Sequence, residues 1–192
     1  MRRTNRNKHT INVNPNSTEI SFETKPFENV GNVDKEKLLK TLNIAYAEEW
    51  LAYYQYWLGA QLIVGPERKS IAEEFIEHAN EEFDHAQKLA TRIIQLGGTP
   101  ILNPKDWQKV ALCKYDEPSK PYVMNLLEQN LVAERCAIVR YQKICEMTHG
   151  NDYETYRMAL KILHEEIEHE EEIGAFKDDI NATVEYKNTM QG

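Results

Sequence analysis

The chain has 192 residues, of which 28% are charged, and its formal net charge is −8. That length is sufficient for one domain with a full core. No uninterrupted apolar stretch approaches the roughly 20 residues of a membrane-spanning helix, so we expect no membrane association. Three cysteines without a C-x-x-C pair argue against a disulfide scaffold, a zinc ribbon and a rubredoxin-type iron centre.

The first 33 residues are rich in Asn, Thr, Ser and Arg and show little apolar periodicity, which predicts a basic, extended N-terminal arm over residues 1–33. Its first ten residues are basic but lack the apolar segment of a secretory signal, so we expect a cytoplasmic protein. Repeated basic arms could bind DNA phosphates nonspecifically, but the acidic body of the chain disfavours this partner.

Two long helices are predicted after the arm. The first runs from an N-cap at Asp34 to Val64, where a Gly-Pro pair stops it. The second begins near Glu67, or at Ser70 if a Ser-x-x-Glu capping box forms, and ends before the Gly-Gly pair that starts at Gly97.

The second half of the chain repeats this organisation. Residues 99–119 contain three prolines and predict an irregular crossover with one short helical piece. A third helix is predicted with Pro121 in its first turn, and a fourth that ends near Ile180, which leaves residues 181–192 as a short C-terminal tail. Short links within each pair and a long link between pairs predict an all-α four-helix bundle over residues 34–180, with one long crossover between the second and third helices.

One pattern of side chains occurs twice on these helices. Each copy has a Glu, a Tyr seven residues later, and a Glu-x-x-His motif 32 or 33 residues after the first Glu. The first copy consists of Glu49, Tyr56, Glu82 and His85, and the second of Glu134, Tyr141, Glu166 and His169. Residues three apart share a helix face, so each Glu-x-x-His motif can hold one cation.

The faces that carry this pattern are otherwise apolar, and buried carboxylates without a counter-ion are costly. We therefore predict a site for two cations with six ligands: Glu49, Glu82, His85, Glu134, Glu166 and His169. Oxygen and imidazole ligands without thiolate favour iron or manganese over structural zinc. A single motif of this kind often lies on a solvated face, but two matched copies favour the metal site. A zincin motif is excluded, because His164 and His169 are five residues apart rather than four.

The sequence also resembles a known family. The segment EWLAYYQY from Glu49 and the segment EFDHAQKL from Glu82 resemble the first two ligand helices of bacterioferritin. Over about residues 34–180 the chain looks like the ferritin-like di-iron carboxylate proteins, and in particular like Dps-like relatives of bacterioferritin. The resemblance implies two iron ions per subunit, with manganese or zinc as possible substitutes.

The resemblance further implies a role for each ligand. Glu82 and Glu166 would bridge the two ions, one of which is completed by Glu49 with His85 and the other by Glu134 with His169. Tyr56 would be a catalytic neighbour that orients a ligand or donates an electron, whereas we expect Tyr141 to have a packing role. His78 is expected to be a hydrogen-bonded core histidine, with an outer metal ligand as the alternative. Haem-binding relatives carry a methionine where this chain has Phe83, so no haem is expected.

By the same resemblance, the expected function is iron storage and detoxification, in which Fe(II) is oxidised by H2O2 or O2 and stored as ferric mineral in a homo-oligomeric shell. The tail is short for the fifth helix of a 24-subunit cage, so a shell of 12 subunits is expected. The alternatives are a rubrerythrin-like peroxidase, a manganese catalase, and a DNA-binding, nucleoid-protecting protein of the Dps type.

Two further features remain open at this point. The Dps-like relatives have a cysteine pair near the metal site, which Cys113 and Cys136 match; otherwise all three cysteines are reduced and buried. A stripe containing Trp50, Tyr54 and Trp57 lies on the first helix beside the ligand face. It predicts a subunit interface, unless residues 20–33 cover it.

Overall fold

A computed structural model of the chain describes residues 31–190, in which four long helices form a bundle. These helices are α1 (Lys35–Leu62), α2 (Arg68–Gln95), α4 (Val123–Thr148) and α5 (Tyr153–Thr189). The crossover between α2 and α4 contains a 3-10 turn, Pro104–Asp106, and a short helix α3, Trp107–Val110. Helix α1 packs along α2 and α4 along α5, and α1 and α4 are also in contact. The predicted all-α four-helix bundle is confirmed.

The predicted N-terminal arm lies outside the described residues except for its last three positions. Within residues 31–190, none of the helices combines the length and the apolar character needed to cross a lipid bilayer.

The starts of the first two helices follow their local sequence. Asp34 caps α1 by accepting a hydrogen bond from the backbone N–H of Lys37 at 3.0 Å. Glu67 precedes α2 in a left-handed conformation with φ of +54°. The Ser70 hydroxyl donates a hydrogen bond to the Glu67 carbonyl, so the start near Glu67 is confirmed and the capping box is wrong.

A short backbone link joins the two halves of the bundle at one end. Val64 donates a hydrogen bond to the carbonyl of Pro121 at 2.8 Å, and Val123 donates one to the carbonyl of Val64 at 2.9 Å. Gly65 follows with φ of +128°, and a Cβ atom there would lie only 2.9 Å from the Val123 side chain. A side chain at this turn would therefore displace α4 from the link.

Helix α5 is longer than predicted. It continues through residues 181–189 instead of ending near Ile180, and every residue of this extension is exposed. The predicted helix end near Ile180 is therefore wrong, and the described part of the predicted tail is an exposed continuation of α5. The physical reason is that residues 175–190 contain neither glycine nor proline, so no local signal stops the helix.

The crossover folds back onto α1 and is tied to α4. Trp107 stacks on Trp50 with 5.0 Å between ring centroids, and Tyr115 packs against Tyr54. The predicted aromatic stripe is thus partly covered by the chain's own crossover, a cover that was not predicted from the sequence. Cys113 and Cys136 form a disulfide with 6.3 Å between Cα atoms, within the range for such bonds.

The core consists of two apolar clusters with a layer of charged side chains between them. One cluster includes Leu42, Leu89 and Ile162, and the other includes Phe75 and Leu127. Each of the four long helices contributes residues to both clusters. The charged layer therefore lies near the middle of every long helix.

A buried ion pair fixes the start of α5 against α2. The Arg92 guanidinium donates hydrogen bonds to both carboxylate oxygens of Asp152, at 2.8 and 2.9 Å, and one to the Thr155 hydroxyl at 2.7 Å. Asp152 also caps α5 by accepting from the Thr155 backbone N–H. Burial alone would raise the pKa of Asp152, but the hydrogen bonds from Thr155 and Arg92 outweigh burial and hold this pKa below its usual value.

We predict that Asp152→Ala lowers the free energy of unfolding by about 3–5 kcal/mol, because it leaves the Arg92 charge buried without its counter-ion. Urea denaturation at a fixed protein concentration measures the difference. Glu146→Ala, which removes an exposed pair with Lys143, is the control and should cost less than about 1 kcal/mol. Since the pKa of Asp152 is lowered in the folded state, the difference in unfolding free energy between wild type and Asp152→Ala should shrink as pH falls below about 4. Equal losses in the two variants would contradict the prediction.

Candidate metal centre

Six charged side chains from the four long helices converge in the middle of the bundle. They are Glu49 of α1, Glu82 and His85 of α2, Glu134 of α4, and Glu166 and His169 of α5. Each has at most 3% of its surface exposed. The structure therefore brings together all six residues that the sequence analysis expects as ligands, and their role as ligands stays a prediction.

The six side chains form two overlapping groups, and within each group the potential ligand atoms lie within 4.8 Å of one another. The first group is Glu49, Glu82, His85 and Glu166, and the second is Glu82, Glu134, Glu166 and His169. Glu82 and Glu166 belong to both groups. Because both groups contain these two carboxylates, each carboxylate can bridge a pair of cations, one cation in each group.

Both histidines of the centre turn Nδ1 toward the carboxylates. Nδ1 of His85 lies 3.0 Å from Glu166 and 3.3 Å from Glu82. Nδ1 of His169 lies 3.6 Å from Glu82 and 3.7 Å from Glu134. Ligand atoms that share one ion at about 2.1 Å stand about 3.0–3.4 Å from one another. Each group therefore needs only small adjustments to enclose one ion.

Two further carboxylates contact Nε2 of the histidines, on the side of each ring away from the centre. Nε2 of His85 lies 3.1 Å from Glu165, and Nε2 of His169 lies 2.5 Å from Glu81. A proton on Nε2 that is donated to these carboxylates leaves the Nδ1 lone pair free for a metal ion. Neither carboxylate was predicted from the sequence as a partner of a histidine. Their signal was a second Glu directly before each motif, which makes both copies Glu-Glu-x-x-His.

Two buried tyrosines bind the carboxylates of the opposite half of the chain. The Tyr56 hydroxyl donates a hydrogen bond to Glu134, and the Tyr141 hydroxyl donates one to Glu49. Neither tyrosine has any exposed surface. The two contacts are equivalent, so the expectation that Tyr141 only packs is wrong. Burial, followed by the charge of the contacted carboxylate, raises the pKa of both hydroxyls well above the usual value.

The protonation of the centre follows from burial of many charges in a small volume. Burial, with the charge of Glu82, raises the pKa of Glu49 to about 8, and burial raises the pKa of Glu166 well above its usual value. Burial would also raise the pKa of Glu82, but hydrogen bonds with His169 and His85 outweigh it and lower this pKa. Burial favours neutral His169, yet hydrogen bonds with carboxylates raise its pKa to about 12.

The donor set fits a pair of divalent first-row cations. Both carboxylate oxygens of Glu166 are buried, and within residues 31–190 neither accepts a well-aligned hydrogen bond, although Nδ1 of His85 lies 3.0 Å from one of them. An ionised carboxylate in this position is costly unless a cation compensates its charge. Four glutamates carry a charge that two divalent ions would neutralise. Carboxylate oxygen and imidazole nitrogen without thiolate suit iron, manganese or zinc.

Comparison with known proteins decides the family. Residues 39–183 match the ferritin-like domain family. The chain is a member of the ferritin-like family.

Three relatives extend this assignment. The chain is 49% identical to the bacterioferritin-related protein of Bacteroides fragilis, described as a dodecameric thioferritin, with a TM-score of 0.80 over 80% of this chain and 92% of that one. It is 41% identical over 140 residues to the DNA protection during starvation protein of Pyrococcus furiosus, which covers 72% of this chain and 75% of the relative. Dps from Thermosynechococcus elongatus is 24% identical with a TM-score of 0.71 over 74% and 90% of the two chains, a likeness in fold. The resemblance to Dps-like and bacterioferritin-related proteins is confirmed.

A cavity of about 790 Å³ opens toward the carboxylate side of the ferritin-like centre. Its wall includes Glu49, Glu82, Glu134 and Glu166, and also residues 112–119 of the crossover. Glu48 orders this wall: it accepts hydrogen bonds from the backbone of residues 112 and 113 and pairs with Arg140 on α4. The disulfide and the Glu48 contacts thus shape the approach to the carboxylates.

Phe83 lies outside the centre in this ferritin-like chain. Its ring packs against Trp50 at 5.6 Å and against Tyr53 at 6.0 Å between centroids, and 39% of its surface is exposed. That haem is not bound through this position stays a prediction.

We predict that cation binding to the centre releases more than one proton per chain near pH 7. Glu49, Glu166 and His169 have raised pKa values, so they hold protons that a metal must displace, and affinity should rise with pH. Calorimetric titration with Zn²⁺ in buffers of different ionisation enthalpy measures the release. The exposed variant Glu168→Ala should behave as wild type, and heats that do not depend on the buffer would contradict the prediction.

Proposed function

We propose that the protein is a ferroxidase that oxidises Fe(II) at the buried paired site and stores the ferric product. The observation that carries this proposal is the pair of overlapping Glu and His groups with two shared carboxylates. Two adjacent Fe(II) ions, bound as substrate, can supply two electrons to one oxidant molecule. Membership of the ferritin-like family supports the same reaction.

With hydrogen peroxide as oxidant, two Fe(II) and two protons yield two Fe(III) and two molecules of water. Each iron loses one electron, and both electrons go to the O–O bond, which breaks. Because the electrons are delivered together, no hydroxyl radical needs to leave the site. With O2, the same pair supplies two electrons and, with two protons, yields two Fe(III) and one H2O2, which a second pair of Fe(II) ions can reduce to water.

The side chains of this chain have distinct tasks in the proposal. Glu82 and Glu166 hold both ions at a short separation, and His85 and His169 each complete one ion through Nδ1. Tyr56 orients Glu134 and keeps it from rotating when the charge of the site changes. Glu81 and Glu165 fix the ring orientation of the histidines. The 790 Å³ cavity beside the carboxylates gives a small oxidant a route to the site.

Storage requires a shell in which the ferric product can collect. The Bacteroides fragilis relative, described as dodecameric, supports a shell of 12 subunits here. The mass of the protein in solution tests the assembly, and a monomeric mass would contradict storage.

We predict that Glu82→Ala and Glu166→Ala each slow rapid Fe(II) oxidation by at least about 100-fold. Loss of a group that only supports a metal ligand already costs up to about 100-fold, and these variants lose a predicted direct ligand. The measurement is stopped-flow absorbance of ferric product after anaerobic loading with Fe(II). Glu168→Ala, which removes an exposed carboxylate from the same helix, is the matched control and should keep the wild-type rate. Unchanged oxidation in either core variant, with normal helix content, would defeat the assignment.

We predict that Tyr56→Phe and Tyr141→Phe each slow the oxidation by about tenfold, because each leaves one ligand carboxylate without its hydrogen bond, worth about 1–3 kcal/mol. The same stopped-flow assay measures both rates. Tyr53→Phe removes a hydroxyl outside the centre and is the control. A loss confined to Tyr56→Phe would instead indicate a special redox role for that side chain.

The enzymatic alternatives are a rubrerythrin-like peroxidase and a manganese catalase. The metal content of the protein as purified discriminates the latter, because a catalase would retain manganese and release O2 from peroxide. The former needs an electron donor other than Fe(II), so peroxide consumption without net Fe(II) oxidation would favour it.

DNA protection is a second candidate, favoured by the name of the Pyrococcus furiosus relative. Its support in this chain is the set of basic residues Arg2, Arg3, Arg6 and Lys8 in the N-terminal arm. Gel mobility shift at low and moderate salt, with and without residues 1–12, tests it. Retarded DNA that depends on those residues would establish binding, and none at low salt would exclude it.

A further inference from the structure

A third group of potential cation ligands lies one helical turn from the paired site. Glu74 and His78 of α2 face Glu172 of α5, and the three ligand atoms lie within 4.8 Å of one another. Nε2 of His78 is 2.9 Å from Oε2 of Glu172 and 3.4 Å from Oε1 of Glu74. The group is more than an acidic surface cluster, because His78 is only 1% exposed.

Ring contacts fix the direction of His78. Its imidazole stacks on that of His169 with 4.1 Å between centroids, and it meets the edge of the Tyr56 ring at 5.1 Å. On α2, His78 is one turn after Glu74 and one turn before Glu82, so the same helix face carries both groups. His78 thus contacts Glu74 and Glu172 on one side and the ring of the predicted ligand His169 on the other.

Hydrogen bonds within the protein leave this group incompletely satisfied. A neutral imidazole carries one N–H, and Nε2 can donate it to Glu172 or Glu74 but not fully to both. A cation bound by Nε2 and both carboxylates would interact with all three groups at once.

Exposure increases from the inner to the outer side of the group. His78 is 1% exposed, the Glu74 side chain 27% and the Glu172 side chain 51%. A hydrated cation can therefore reach Glu172 from solvent and exchange water for imidazole further in. This side of the centre lies between α2 and α5, whereas the 790 Å³ cavity is lined mainly by α1, α4 and the crossover.

We propose that Glu74, His78 and Glu172 form a third divalent-cation site, which holds Fe(II) between solvent and the paired site. The binding of a cation here stands on the geometry of these three side chains alone. Its role in delivering iron rests on the proposed ferroxidase function. Two carboxylates and one imidazole bind Fe²⁺, Mn²⁺ and Zn²⁺, so redox-inert Zn²⁺ can probe the site.

The solution test compares Glu172→Gln with Glu171→Gln, which makes the same change of charge at the neighbouring exposed position. Calorimetric titration with Zn²⁺ should give one more ion per chain for wild type and Glu171→Gln than for Glu172→Gln. Loss of this direct ligand should weaken the third binding event at least about tenfold. Equal stoichiometry and affinity in Glu172→Gln and Glu171→Gln would overturn the proposal.

Crystals of wild-type protein with Zn²⁺ give a test that requires no variant. An anomalous peak between His78, Glu74 and Glu172 is expected, and its absence when the paired site is filled would overturn the proposal. In the Glu82→Ala variant this third peak should persist while the paired site is lost. If wild-type protein failed to oxidise Fe(II) but kept the third peak, the ferroxidase proposal would be wrong and the cation site would stand.

For delivery, the measurement is the initial rate of Fe(II) oxidation at limiting iron. Glu172→Gln should be severalfold slower than Glu171→Gln and should approach it as Fe(II) is raised. Equal rates at every iron concentration, together with a retained difference in Zn²⁺ binding, would overturn the delivery role.

Discussion

The burial of four carboxylates in one layer of the bundle is the constraint on which the rest of the structure depends. Burial removes these carboxylates from water and their like charges repel one another, and the raised pKa values of Glu49 and Glu166 are the direct result. The layer is tolerated because partners from other helices hold it, and because protons or cations can neutralise it. Apolar clusters on either side carry the packing, so the centre can keep a polar composition. Metal binding and folding are therefore linked through the same side chains.

The surroundings of the centre differ on its two sides. The carboxylates face a cavity whose wall is built by the crossover, the Cys113–Cys136 disulfide and the Glu48–Arg140 pair. The histidines lie on the opposite side, between α2 and α5, where the additional carboxylates of these two helices lie at and near the surface. A small neutral oxidant and a hydrated cation have different requirements, since the first needs open volume and the second needs negative charge along its route. The carboxylate side provides the open volume, and the side formed by α2 and α5 provides the negative charge.

Much of the fold and the centre could be predicted from the sequence, because helix geometry makes spacing informative. Glu and His three residues apart on an apolar face must share a direction, so Glu82 with His85 indicated the centre before any packing was known. Glu81 and Glu165 were missed, because their contacts depend on how a neighbouring helix is placed, which spacing along one helix does not determine. The equivalence of Tyr141 and Tyr56 was missed for the same reason. The covering of Trp50 by Trp107 depends on the path of an irregular crossover, and the end of α5 depends on the absence of a stop signal.

The contacts around the centre run between the two halves of the chain in a reciprocal way. Tyr56 of the first hairpin holds Glu134 of the second, and Tyr141 of the second holds Glu49 of the first. Glu81 of the first hairpin contacts His169 of the second, and Glu165 of the second contacts His85 of the first. Each hairpin depends on the other for these contacts, so the centre is complete only when the two hairpins are packed together. Two identical hairpins related by a twofold axis would meet every one of these demands, which makes each half of this monomer the equivalent of a subunit in a symmetric dimer.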